Sequence, residues 1–98
     1  MNRGIVTRRR GDAEKSGMHE LDEITGTIID SAIQVHRSLG PGLLESVYEL
    51  VLARVLAERG FKVERQKILS FEYEGLLFTN AFRIDLLVDD RVIVEINQ

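Results

Sequence analysis

Residues 82–97 read FRIDLLVDDRVIVEIN, and this stretch decides how the second half of the chain folds. Apolar residues occupy the even positions on both sides of a central Asp-Asp-Arg segment, namely Phe82, Ile84, Leu86, Val88, Val92, Val94 and Ile96. Alternation with a period of two is typical of β-strands that bury one face. Opposed residues of an antiparallel pair share a face, so the two apolar rows match only if the numbers of paired residues have an even sum.

A three-residue loop, Asp89-Asp90-Arg91, meets this condition because it pairs Val88 with Val92. The same register places Asp85 opposite Glu95, with their Cβ atoms about 5 Å apart. Facing carboxylates repel each other by up to about 1 kcal/mol. A divalent cation would offset this repulsion, since Mg²⁺ is commonly held by one or two carboxylates. The residues alone leave a second reading open, a solvated sheet face on which Arg83 neutralises the pair.

Two helical segments precede the strands. Residues 21–40, LDEITGTIIDSAIQVHRSLG, predict a first helix that ends at Gly40. Its apolar stripe consists of Ile24, Ile28, Ala32, Val35 and Leu39. Residues 43–59, LLESVYELVLARVLAER, predict a second helix. Its predicted stripe consists of Leu44, Val47, Val51 and Val55.

The segment between the second helix and residue 82 changes its period to two. FKVERQKI at 61–68 and LSFEYEG at 69–75 predict two further strands. The element order is therefore ααββββ. It predicts an α/β fold in which two N-terminal helices pack on a largely antiparallel or mixed sheet.

Charge divides the chain into two parts. Residues 1–19 contain an arginine cluster and no apolar period, which predicts a flexible basic arm before a domain at 20–98. The whole chain has a net charge of −3, but from Leu21 onward 13 acids stand against 8 bases, a net charge of −5. Such an acidic domain would bind nucleic acid through metal ions rather than through a basic patch.

Two absences in the sequence limit the class of protein. The chain has no cysteine, which excludes disulfides and thiolate metal sites and fits a cytoplasmic location. No apolar run approaches the ~20 residues that span a bilayer, so no contact with a membrane is expected.

A resemblance to a known family rests on GLLESVY at 42–48, together with the preceding QVHRSLGPG and the strand pair at 82–97. From about Leu21 to its end, the chain closely resembles the GxxExxY proteins, small bacterial and archaeal domains of the PD-(D/E)-x-K nuclease superfamily. The resemblance implies a restriction-endonuclease-like core. Family members usually continue with a further helix and strand, so it also implies a C-terminally truncated member.

The resemblance implies a set of site residues. Asp85 matches the strand aspartate, Glu95 the acid of the E-x-K motif and Glu45 the helical glutamate, and these three would hold Mg²⁺ or Mn²⁺. Asn97 occupies the place of the lysine, so the implied catalytic set is Glu45, Asp85, Glu95 and Asn97. Lys67 is a candidate replacement for the lysine. Glu45 also has a structural reading, because a glutamate in the first turn stabilises a helix.

Two functions remain open at this stage. The family implies metal-dependent hydrolysis of phosphodiester bonds in nucleic acid, weakened because Asn97 carries no charge. The alternative is a catalytically dead or truncated relative that acts as a protein-interaction module. In that case an open sheet edge would pair with a protein partner or with a second copy in a homodimer.

Overall fold

The computed structural model describes residues 4–9 and 20–97. Two helices and four strands are present there: β1 (Gly4–Arg9), α1 (Leu21–Leu39), α2 (Glu45–Glu58), β2 (Val63–Tyr73), β3 (Leu76–Val88) and β4 (Val92–Asn97). The strands form one sheet in the order β1-β4-β3-β2, and every neighbouring pair is antiparallel. The predicted class, two helices packed on a largely antiparallel sheet, is confirmed.

Helix α1 follows its sequence pattern closely. Four members of the predicted stripe are buried, and only the last, Leu39, is exposed. Gly40 ends the helix with φ of 76°, a conformation that favours glycine, and its backbone N–H donates to the carbonyl of His36 at 2.9 Å. The helix therefore presents one apolar face to the rest of the domain.

Helix α2 buries a face that overlaps the predicted one only in part. Its N-cap is Leu44, which is exposed, as is Val47. The buried apolar residues are Tyr48, Leu52, Ala53 and Leu56. The predicted stripe was wrong for Leu44 and Val47, whereas Val51 and Val55 are half-buried and pack against the core. Because α2 is apolar on most of its circumference, periodicity alone cannot select the inner face. Tertiary contacts select it, and the Tyr48 hydroxyl donates to the carbonyl of Ala32 on α1 at 2.9 Å.

Arg59, at the end of α2, ties the two helices together. Its guanidinium donates to Asp30 Oδ2 at 3.0 Å, to Ser31 Oγ at 2.8 Å and to Gln34 Oε1, all on α1. Ser31 is fully buried. The planar guanidinium can reach three acceptors at once, which makes it suited to fixing one helix end against its neighbour.

The strands between 63 and 88 are longer and fewer than predicted. The segments at 61–68 and 69–75 do not form two strands, because β2 runs without interruption from Val63 to Tyr73. It pairs along almost its whole length with β3, and the connecting turn has positive φ at Glu74 and Gly75. A register shift after Leu69 keeps the two strands paired.

The fourth strand comes from the N-terminal segment. Gly4–Arg9 forms β1, which pairs with β4 from Gly4↔Asn97 to Arg9↔Val92. The prediction of a flexible arm over residues 1–19 is therefore wrong for residues 4–9. The remainder of that prediction lies outside the described residues. β1 covers one edge of β4, so β4 is an inner strand.

The core lies between the two helices and one face of the β3–β4 pair. Its strand residues are Leu86, Val88, Val92, Val94 and Ile96, and each is at most 6% exposed. They are five of the seven members of the predicted apolar rows; of the other two, Ile84 is also buried, whereas Phe82 is 52% exposed. The alternation in the sequence therefore predicts the buried face of the sheet correctly except at Phe82.

Candidate functional site

The β3–β4 loop has the length that the sequence predicts. Val88 pairs with Val92, which leaves Asp89, Asp90 and Arg91 as the loop. The two aspartates have φ of 53° and 57°, in the left-handed region that aspartate tolerates better than most residues. The backbone N–H of Arg91 closes the turn on the carbonyl of Val88 at 3.0 Å. The register that positions the acids is thus confirmed around the loop.

Lys62, just before β2, anchors this loop. The backbone N–H of Asp89 donates to the Lys62 carbonyl at 2.7 Å, and the Lys62 N–H donates back to Asp89 Oδ1 at 2.8 Å. The Lys62 ammonium contacts Asp90 Oδ2 at 2.9 Å, and this hydrogen bond with its charge raises the pKa of Lys62 above 10.5. At alkaline pH the ion pair is lost as the pH rises through the raised pKa of Lys62.

Asp85 lies where β3 and β4 stop pairing. The paired residues run from Val88↔Val92 to Leu86↔Val94, and Asp85 and Glu95 are the next residues on each strand. Beyond the last pair, Asp85 Oδ2 accepts a hydrogen bond from the backbone N–H of Ile96 at 2.7 Å. Both acids are half-buried. The Asp85 carboxylate therefore takes the place of a backbone acceptor at the end of the ladder.

Glu95 lies on an inner strand, between β1 and β3. Its backbone pairs with Val6 of β1, and Asn97, two residues on, pairs with Gly4. The edge strands of the described sheet are therefore β1 and β2.

Glu45 is the first residue of α2, and its side chain is exposed. Among residues 4–9 and 20–97, no three His, Asp or Glu side chains form a group that could hold a metal ion. The described structure therefore does not gather Glu45 with Asp85 and Glu95. Tyr48, one turn after Glu45, is buried, and its ring lies 6.4 Å from that of His36 at an angle of 62°.

Glu49 is a buried acid for which the sequence predicted no role. It is 5% exposed on α2 and accepts hydrogen bonds from Arg65 Nε at 3.2 Å and from Gln66 Nε2 at 2.7 Å. Both donors belong to β2, so this carboxylate connects the helix to the sheet. A single acid within the apolar run VYELVL was the signal in the sequence.

Lys67 is engaged elsewhere. Its ammonium forms an ion pair with Glu64 Oε2 at 2.9 Å, and its partner on β3 is Ile84, the residue before Asp85. The lysine that was a candidate to replace the lysine of the E-x-K motif is therefore paired with Glu64 of its own strand.

The class of protein follows from these observations together with comparison to known proteins. Two helices packed on an antiparallel sheet are consistent with a nuclease-like fold. A family model for the PD-(D/E)XK nuclease superfamily matches residues 22–98, and the chain belongs to that superfamily. Superfamily members generally use divalent metal ions. No curated protein and no solved structure matches the chain.

Neither α1 nor α2, the helices of the described part of the chain, is long and apolar enough to cross a bilayer.

Proposed function

We propose that this chain is a GxxExxY-type nuclease-like domain that hydrolyses phosphodiester bonds of nucleic acid with Mg²⁺ or Mn²⁺. Asp85 and Glu95 are the proposed metal ligands, and Glu45 is a third that would have to approach them. The observation that carries the proposal is the position of the two acids. Asp85 and Glu95 lie one residue beyond the last β3–β4 pair, Leu86↔Val94. Both strands lie within the residues that the superfamily model matches.

The donor set fits a hard divalent cation. Two half-buried carboxylates supply oxygen ligands, and the Ile96 N–H holds one oxygen of Asp85 in place. A hydrogen bond of this kind orients a ligand and limits its rotation. The second oxygen, Oδ1, accepts no hydrogen bond from the described residues and so is available for a ligand. A bound metal would polarise the phosphate and acidify a water molecule.

Asn97 sets the expected rate. Superfamily chemistry places a lysine here to stabilise developing negative charge, and asparagine can donate a hydrogen bond but has no charge. By comparison with the removal of one oxyanion donor, the loss is about 10²–10³-fold. The proposed activity is therefore weak, and Asn97→Lys should increase it.

A cleavage assay tests the proposal. We expect slow, metal-dependent cleavage of DNA or RNA, its loss in Glu95→Gln, and a rate increase of up to about 10²-fold in Asn97→Lys. Glu23→Gln is the matched control, because Glu23 is an exposed acid on α1. Absence of cleavage by both the natural chain and Asn97→Lys, with either metal, would overturn the proposal.

The second candidate is a catalytically dead relative that acts as a protein-interaction module. One observation favours it: the β2–β3 hairpin extends beyond the helices and exposes large apolar side chains. Such side chains on a surface mark an interaction site. This candidate predicts that Asn97→Lys gains no activity, while association with a partner is unaffected by Glu95→Gln.

A further inference from the structure

The distal half of the β2–β3 hairpin, residues 68–83, forms an arm. Apart from the half-buried Leu69, every residue of the arm is exposed, whereas β3 becomes buried from Ile84 onward. The described chain measures 46 × 29 × 18 Å, an elongated outline for its length. A two-stranded hairpin alone is only marginally stable in water. The arm therefore lacks the second layer that normally stabilises a sheet.

One face of the arm is apolar along its whole length. Cross-strand partners share a face, and the three apolar pairs are Leu69↔Phe82, Phe71↔Phe78 and Tyr73↔Leu76. We call these six side chains the aromatic face. Phe71 stacks on Phe78 with ring centroids 5.0 Å apart and on Phe82 with centroids 5.8 Å apart. The opposite face carries the mixed pairs Ile68↔Arg83 and Glu72↔Leu77.

The aromatic face is large enough to be an interface. Its members other than Leu69 are 43–62% exposed, which at about 200 Å² for a full side chain amounts to roughly 500 Å². A patch of this size is at the upper end of what monomeric proteins expose. Two such faces packed together would bury roughly 1,000 Å², the lower limit for a specific interface.

We propose that the aromatic face binds the same face of a second copy of this chain. A two-fold interface must be complementary to itself, and this face meets that condition because it is apolar from base to tip. Glu72 and Arg83 belong to the opposite face, so the packing of two aromatic faces buries neither charge.

Nucleic acid fits this face less well. Single-stranded nucleic acid is bound by aromatic rings whose faces are open to bases, beside cationic groups that contact phosphates. Here Phe71 is stacked on two neighbouring rings, so its faces are occupied. Residues 68–83 carry two acids and one base, which would repel a phosphate backbone. The proposal is independent of the cleavage chemistry and stands or falls without it.

Sedimentation equilibrium of the full chain tests the proposal over about 5–500 µM, where an interface of this size would associate. We expect the natural chain to show twice its own mass. The double variant Phe71→Ser, Phe78→Ser should sediment as a monomer, with a dissociation constant raised at least about tenfold. The matched control Ile68→Ser, Leu77→Ser removes two exposed apolar residues from the opposite face and should remain a dimer.

Other outcomes would overturn the proposal. These are a monomeric natural chain at all concentrations, or equal dissociation of both double variants. Circular dichroism verifies that both variants keep the secondary structure of the natural chain. Binding of a labelled single-stranded oligonucleotide to a monomeric natural chain, lost in Phe71→Ser, Phe78→Ser, would instead identify nucleic acid as the occupant.

Discussion

The two ends of strand β3 each carry two consecutive leucines, but their surroundings are opposite. Near the β4 loop, Leu86, Leu87 and Val88 are fully buried, whereas Leu76 and Leu77 in the arm are 62% and 67% exposed. The difference arises because the helices and β4 pack only on the end nearest the loop. Apolar alternation along a strand therefore shows that a face can be buried, and the neighbouring elements determine whether it is.

Truncating one leucine at each end of β3 would measure this contrast most strongly. Leu86→Ala should lower the free energy of unfolding by about 2–5 kcal/mol, because it creates a cavity in the core. Leu77→Ala, in the same strand but exposed, should change it by less than about 0.5 kcal/mol. Urea denaturation of dilute samples measures both. Equal losses would show that the arm is packed as tightly as the core.

The Glu49 contact between α2 and β2 offers a smaller test of the packed end. Glu49→Ala should cost about 1–2 kcal/mol, because two hydrogen bonds to a buried carboxylate are lost. The effect is moderated because Arg65 is 41% exposed and can be solvated. Glu58→Ala is the control, since its ion pair with Arg54 is exposed on the same helix. A loss in Glu49→Ala no larger than in Glu58→Ala would mean that Glu49 does not connect the helix to the sheet.

The sequence predicted the loop end of the sheet well for a physical reason. The two apolar rows around Asp89-Asp90-Arg91 share a face only if the numbers of paired residues have an even sum. The observed pairing of Val88 with Val92 meets this condition. The inner face of α2 could be predicted only in part, because apolar residues surround most of that helix. β1 was missed because it is a short segment flanked by arginines, and its pairing with β4 joins opposite ends of the chain.

The candidate site was predictable only in part. Asp85 and Glu95 follow from the hairpin register, but the hydrogen bond from the Ile96 N–H depends on where pairing between the strands ends. No pattern in the sequence specifies that point. Glu45 was suggested by the family motif, and its exposed position at the start of α2 comes from the packing of Tyr48 and Leu52, which fixes the rotation of the helix.

The central claim is that Asp85 and Glu95 hold a divalent metal ion. Isothermal titration calorimetry with Mn²⁺ and Mg²⁺ tests it most directly, on the natural chain, Asp85→Asn and Glu23→Gln. Asparagine retains an oxygen that can accept from the Ile96 N–H, so Asp85→Asn removes charge with little change in structure. We predict saturable binding by the natural chain and by Glu23→Gln, and its loss in Asp85→Asn. Equal heats for all three proteins, whether substantial or absent, would contradict the claim.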